Sequence, residues 1–211
     1  MKIKTLVLGG LENNCYLLIC ENSALAPAPA ILIDAAADAD RIIAEAEKLG
    51  ASLKKIIITH GHYDHIGALS KLVSKTGAEV IAHKNCAGFL GDGNLNLASD
   101  FGRKAGKVKV DTEVDDGDII HTDDGDIKVL YTPGHTSDSI SLLYNNYVFV
   151  GDLLFYRSVG RTDFPTGNMQ TEINSIKKKI MTLDDSTVVY PGHGPATNVG
   201  DERKYNPYLY A

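Results

Sequence analysis

The chain of 211 residues has only three cysteines, an odd number, and no CxxC spacing. A disulfide framework is therefore not expected, and a reducing compartment fits the composition better. No run approaches the roughly 20 apolar residues that a membrane span requires. The opening Met1-Lys2-Ile3-Lys4-Thr5-Leu6 reads as a strand and not as a secretory leader. No excess of basic residues appears either: Lys and Arg number 21 against 27 Asp and Glu, for a net charge of -6. This balance disfavours a surface that tracks phosphates, so nucleic-acid and membrane partners are not expected. Nor is there any repeat, low-complexity tract or clear linker, and the expectation is a single domain over 1–211 in the cytoplasm.

What the chain does have is histidine in one place. Three of its seven histidines fall in the segment Thr59-His60-Gly61-His62-Tyr63-Asp64-His65, directly after the apolar run Lys55-Ile56-Ile57-Ile58. In a composition like this one, HxHxDH arises by chance on the order of once in a thousand such chains. A strand ending in that cluster presents it on a tight loop, where neutral imidazoles and a carboxylate can converge on a divalent ion.

Local patterning surrounds the motif with alternating elements. Strands are expected over 2–8, 14–20, 30–34 and 54–58. Helices are expected over 38–49, with Gly50 as stop, and over about 67–76, with Gly77 as cap. Further strands are expected over 79–82, 108–110, 118–121, 126–132, 139–144, 147–151 and 187–190, with a helix over 168–181. Residues 84–107 show no period and read as a functional loop or lid. The order suggests two sheets covered by helices and not one doubly wound sheet.

Three more strand ends carry metal-ligand types. They are Pro133-Gly134-His135, Gly151-Asp152 and Pro191-Gly192-His193, each with a glycine before the donor. Together with HxHxDH, these motifs resemble the metallo-β-lactamase fold superfamily over essentially the whole chain. The resemblance implies an α/β (α+β) fold: a four-layer αββα sandwich of two mixed β-sheets flanked by helices. It also implies two divalent metal ions. His60, His62 and His135 would hold one, Asp64, His65 and His193 the other, and Asp152 would bridge. Zinc suits this donor set, as do iron and manganese. Asp34 matches a carboxylate that braces the metal loop beside Thr59, although a simple turn role also fits it.

Within that superfamily the chain is similar to the glyoxalase II-like group. Gly151-Asp152-Leu153-Leu154-Phe155 resembles its GDxLF element, Gly160-Arg161-Thr162-Asp163-Phe164-Pro165 its GRTDFP signature, and Glu202-Arg203…Asn206-Pro207…Leu209 the ending of its small members. Arg161 and Asp163 are expected to pair and brace the loop under Asp152. The C-terminal helical domain with which the full-length group grips glutathione is not expected here. The chemistry implied is hydrolysis of a small-molecule thioester. Asp64 and Asp152 would act with the ions, and hydroxide held by the ions would be the nucleophile. A thiolate leaves without protonation, because its conjugate acid has a pKa of about 8.5. The second reading is an iron persulfide dioxygenase using His60, His135 and Asp152. A metal-dependent lactonase, phosphodiesterase or nuclease comes third.

Overall fold

The computed structural model describes residues 1–103 and 108–210. It divides into two compact units, residues 1–114 with 121–125, and residues 115–120 with 126–211.

The first unit is built on a six-stranded mixed sheet. Strands β1 (Lys2–Leu8), β2 (Asn13–Ile19) and β3 (Ala28–Ile33) pair antiparallel in sequence order. Helix α1 (Ala39–Lys48) then crosses over to β4 (Ala51–Ile58), which lies parallel to β3. A single helical turn, α2 (Tyr63–Ile66), and helix α3 (Leu69–Thr76) lead to β5 (Glu79–His83), again parallel. The crossovers follow from the sequence: Ile42 and Ala46 lie on one face of α1, and Leu69 and Leu72 on one face of α3. These faces join Leu6, Leu17, Leu32, Ile56, Ile58 and Val80 in one buried cluster. Gly50 and Gly77 end the two helices in the left-handed region, as expected of helix stops. Lys71 and Lys75 of α3 both donate to Asp40 of α1, at 2.6 Å each. These bonds hold its exposed carboxyl at about 2.

Two expectations fail in this unit. The stretch after β5 is not structureless: α4 (Cys86–Gly91) and a 3-10 turn over Ala98–Phe101 occupy much of it. Residues 104–107 of the expected loop lie outside the described residues. The strand expected over 108–110 sits later, as β6 (Thr112–Val114). There Asp111 fixes the register by accepting from Val80 N at 3.0 Å and returning its own amide to the Val80 carbonyl at 2.8 Å. Side-chain pairing at Asp111 decided the position, which a hydrophobicity pattern does not report.

The second large sheet contains β7 (Ile119–Thr122), β8 (Gly125–Tyr131), β9 (Ile140–Tyr144), β10 (Tyr147–Gly151), a small β11–β12 hairpin outside it (Leu154–Phe155 and Ser158–Val159), then β13 (Val188–Pro191) and β14 (Thr197–Asn198). Its strand order is β14-β13-β10-β9-β8-β7. Helix α5 (Met169–Ser175) continues as a π-turn over Ile176–Ile180, so the helix expected over 168–181 changes its winding midway. Ile176 and Ile180 pack with Val148, Val150, Val189 and Val199. Helix α6 (Val199–Tyr205), which sequence patterning does not reveal, starts at Asn198, whose side chain accepts from Asp201 N. Both large sheets are mixed, as expected. Among the described residues no helix is long and apolar enough to cross a membrane.

The fully buried Leu72 of α3 ties that helix to β4 and β5. Leu72→Ala should cost about 2–5 kcal/mol of unfolding free energy in urea titration, because the site collapses only partly. A loss below about 1 kcal/mol would contradict this packing.

Candidate metal centre

Parallel pairing is what gathers the donors. In the first unit β3, β4 and β5 run in one direction, and Asp34 and the Thr59–His65 loop follow the C-terminal ends of adjacent strands. Asp34 takes φ +60°, a left-handed conformation that Asp tolerates better than most residues. Its buried carboxylate accepts from Thr59 N and from Thr59 Oγ1, both at 2.8 Å. The same carboxylate lies 2.8 Å from His65 Nδ1. Since a carboxylate only accepts, His65 donates from Nδ1 and keeps its lone pair on Nε2. Thr59 Oγ1, already donating to Asp34, accepts from His60 Nδ1 at 3.2 Å, which sets the same tautomer in His60. Asp34 therefore does more than shape a turn.

The motif's rings crowd together, with His60 4.8 Å from His62 and 4.0 Å from His65 between ring centroids. The turn α2 places Asp64 Oδ2 3.7 Å from His65 Nε2. Backbone bonds from Ala35 N to His65 O (2.7 Å) and from Tyr63 N to Asn96 O (2.7 Å) hold the turn from both sides. Asn96 is itself fully buried and donates to Phe89 O, so the segment after β5 braces the histidine loop. Sequence reading missed Asn96; its one signal was an Asn inside an apolar triplet, Leu95-Asn96-Leu97, which suits a buried polar lock.

In the second unit β8, β10 and β13 also run in one direction, so His135, Asp152 and His193 follow three strand ends on one sheet edge. His193 Nε2 lies 3.6 Å and His135 Nε2 3.8 Å from Asp152 Oδ2. His135 Nδ1 stands 2.6 Å from the Arg161 carbonyl, which can only accept, so His135 too presents Nε2. Of the three glycines before donors, Gly134 takes φ +150°, which L side chains rarely adopt, Gly151 takes φ +52° in the left-handed region that glycine favours, and Gly192 takes no positive φ. A side chain at Gly134 would land on the backbone of Glu172, and one at Gly160 on the Asp152 carbonyl.

Arg161 and Asp163 pair in bidentate fashion, at 3.0 and 2.7 Å, but both side chains are about two-thirds exposed. An exposed pair contributes little to stability. The partly buried contact in this segment is the Arg161 carbonyl on His135 at 2.6 Å, so the main chain sets the ring and the ion pair does not. The tail signature acts as scaffold. Buried Glu202 accepts from Arg157 N, Thr197 Oγ1 and Asn206 Nδ2, and Asn206 also donates to Ser158 O, clamping the β11–β12 hairpin that follows Asp152.

Glu172 is a second residue that sequence reading missed. It is fully buried on α5 beside Gly160, and burial, with the Asp152 charge adding to it, raises its carboxyl to about 8 against the pull of the Gly160 amide. Its signal was position: Glu172 precedes Ile176 by one helical turn and shares its buried stripe. His83 is buried, and its Nδ1 accepts from Asn85 N at 3.2 Å.

The donor chemistry fits divalent metal. Two ligand atoms about 2.1 Å from one tetrahedral ion lie roughly 3.4 Å apart. The 3.6–3.8 Å spacings within each donor group are close to that value and longer than hydrogen bonds. Three of the five histidines also have Nδ1 tied to an acceptor, the usual way a protein fixes a ligating imidazole.

Replacing Asp34 by Ala should weaken metal affinity about 10–100-fold in competition with a chelator, through lost orientation of His60 and His65. Unchanged affinity would refute that orienting role. For Glu172 the sign is set by a folded-state value raised above 4.5. Its favourable contribution is complete below about pH 4.5 and lost as pH rises through about 8. Thermal melts of Glu172→Gln should therefore show a flatter decline between pH 5 and 8.5 than the parent, and parallel curves would contradict the assignment.

Comparison with known proteins agrees with the geometry. The model of the metallo-beta-lactamase superfamily matches residues 8–193. The chain is 32% identical to hydroxyacylglutathione hydrolase GloC of Haemophilus influenzae, covering 99% of this chain and 98% of that protein. Among solved structures, the BLEG-1 B3 metallo-beta-lactamase superimposes with a TM-score of 0.92 at 31% identity, covering all of both chains. TTHA1623, solved in a di-iron-bound form, gives 0.85 at 30% identity over 98% of this chain and all of that one. With two mixed sheets, helices and a family match across both donor groups, the chain belongs to the metallo-β-lactamase superfamily.

Proposed function

We propose that this protein is a dinuclear metal-dependent thioesterase acting on small acyl-thioesters of the S-2-hydroxyacyl type. His60, His62 and His135 would hold one divalent ion, Asp64, His65 and His193 the other, and Asp152 would serve both. The observation that carries this reading is that Nδ1 of His60, His65 and His135 each stands within hydrogen-bond distance of an oxygen acceptor, which leaves Nε2 to an ion. When bound, the two ions would supply an activated water near neutral pH and a Lewis acid for the acyl oxygen.

The chain's own residues prepare that chemistry. Asp34 and Thr59 fix the rings of the first unit, and the Arg161 carbonyl fixes His135. Asp64 and Asp152 bring about two negative charges against four from the ions, which leaves a net positive site that attracts anionic substrates. A thiolate leaving group needs no proton, unlike an amine, and this favours thioesters over lactams. The 32% identity to a hydroxyacylglutathione hydrolase supports the same class. Zinc suits the His and Asp donors, and the di-iron form of TTHA1623 supports iron as well. The substrate is a small molecule, with neither nucleic acid nor membrane as partner. The three cysteines are buried and carry no disulfide among the described residues, which supports a cytoplasmic location.

Protein purified without chelators should contain about two metal ions per chain by mass spectrometry and hydrolyse S-lactoylglutathione. Asp152→Ala should lower both, with turnover falling more than about a hundredfold. Wild-type protein with one iron that consumes oxygen with a glutathione persulfide, or that cleaves nitrocefin but no thioester, would overturn the reading.

A further inference from the structure

Within the first unit a cavity of about 400 Å³ opens beside Asp64, a size in the range of small-ligand pockets. Its lining comes from the β1–β2 turn (Gly9, Gly10, Leu11), from Tyr63 next to Asp64, and from Phe101 and Arg103. Tyr63 and Phe101 stack at 6.0 Å and 26°. Leu11 and Phe101 are each 50% exposed and both line this one cavity, so its wall is apolar and open to a ligand. Arg103 is exposed, with its backbone fixed by Arg103 N to Ala98 O at 2.8 Å. Among the described residues no carboxylate pairs with its guanidinium. Apolar walls, one cation at the rim and adjacency to Asp64 together describe a place for a chain that ends in an anion.

We propose that this cavity is the specificity subsite for a carboxylate-bearing arm of the substrate. The Arg103 guanidinium grips the carboxylate in bidentate fashion, and Leu11 with the Tyr63–Phe101 stack covers the connecting atoms. The inference rests on the thioesterase reading for its setting, but the pocket and its cation stand independently of it. The carboxylate can belong to the thiol or to the acyl group, and the test separates these sources.

The test uses metal-loaded protein, the parent chain and two variants. Arg103→Ala removes the cation. Gly10→Leu fills the cavity from a position where a new Cβ meets no atom within 4 Å and needs no strained backbone. Three thioesters are compared: S-lactoylglutathione (carboxylates on the thiol), lactoyl-N-acetylcysteamine (none) and succinyl-N-acetylcysteamine (carboxylate on the acyl group). The parent should favour one carboxylated thioester over the neutral one in kcat/KM. Both variants should cut that ratio by about tenfold or more, mainly through KM, and Arg103→Lys should restore part of it. The favoured thioester identifies the arm. A ratio unmoved by both variants overturns the proposal.

If the parent hydrolyses none of the three, the thioesterase reading fails and calorimetry decides the subsite. S-methylglutathione against its diethyl ester, and succinate against succinamide, are then titrated into the same proteins. Tighter binding of either acid that is lost in Arg103→Ala upholds the subsite. Equal binding of acid and neutral partner, or binding unaffected by Arg103→Ala, overturns it.

Discussion

A neutral imidazole offers a metal only the nitrogen that its proton does not occupy, and an acceptor placed against the other nitrogen decides which one that is. In this protein the acceptors are a buried carboxylate, a hydroxyl already committed as donor to that carboxylate, and a main-chain carbonyl. All three are supplied by strand ends or by the loops just beyond them. The sheets exist, in functional terms, to deliver Asp34 to Thr59 and His65, and Arg161 to His135. Much of the rest supports that delivery: the left-handed backbone at Asp34, the positive φ at Gly134 and Gly151, the bond from the Tyr63 amide to the Asn96 carbonyl, and the clamp around Glu202.

This arrangement also explains where stability is given up. Glu172 is buried beside the Asp152 segment in an environment that disfavours its ionised form, and Gly134 and Gly160 leave no room for a side chain. A protein selected for stability alone would place an apolar residue at 172. The carboxyl there lies against the Gly160 amide, eight residues after Asp152, while the Glu172 backbone packs on Gly134, next to His135. Specific geometry at the donors is maintained at the expense of an optimal core.

Much of the architecture was legible because its signals are concentrated. Metal chemistry needs several donors close together, so HxHxDH and the Gly-His and Gly-Asp strand ends stand out against a chain with only seven histidines. Strands β1 to β5 and helices α1 and α3 announce themselves by apolar periodicity and by the glycines that stop them. The features that stayed hidden are single residues whose role depends on burial. Asn96 and Glu172 resemble any surface polar residue until their neighbours are known, and Asp111 moved a strand by side-chain pairing that hydropathy does not encode. The Arg161–Asp163 motif was legible as a pair, but its sequence could not reveal that the carbonyl, and not the guanidinium, touches the histidine. The helical content of 86–91 and 98–101 was masked by glycines at 88, 91 and 93, which weaken any periodic signal.

Histidine nitrogen NMR reads which ring nitrogen carries the proton. In metal-free protein at a pH where the imidazoles are neutral, His60, His65 and His135 should carry their proton on Nδ1, the minority tautomer of free imidazole side chains. Titration with cadmium-113 should then produce scalar coupling to Nε2 of each. Protons found on Nε2 in these three residues, or cadmium coupled to Nδ1, would contradict the orienting role of Asp34, Thr59 and the Arg161 carbonyl.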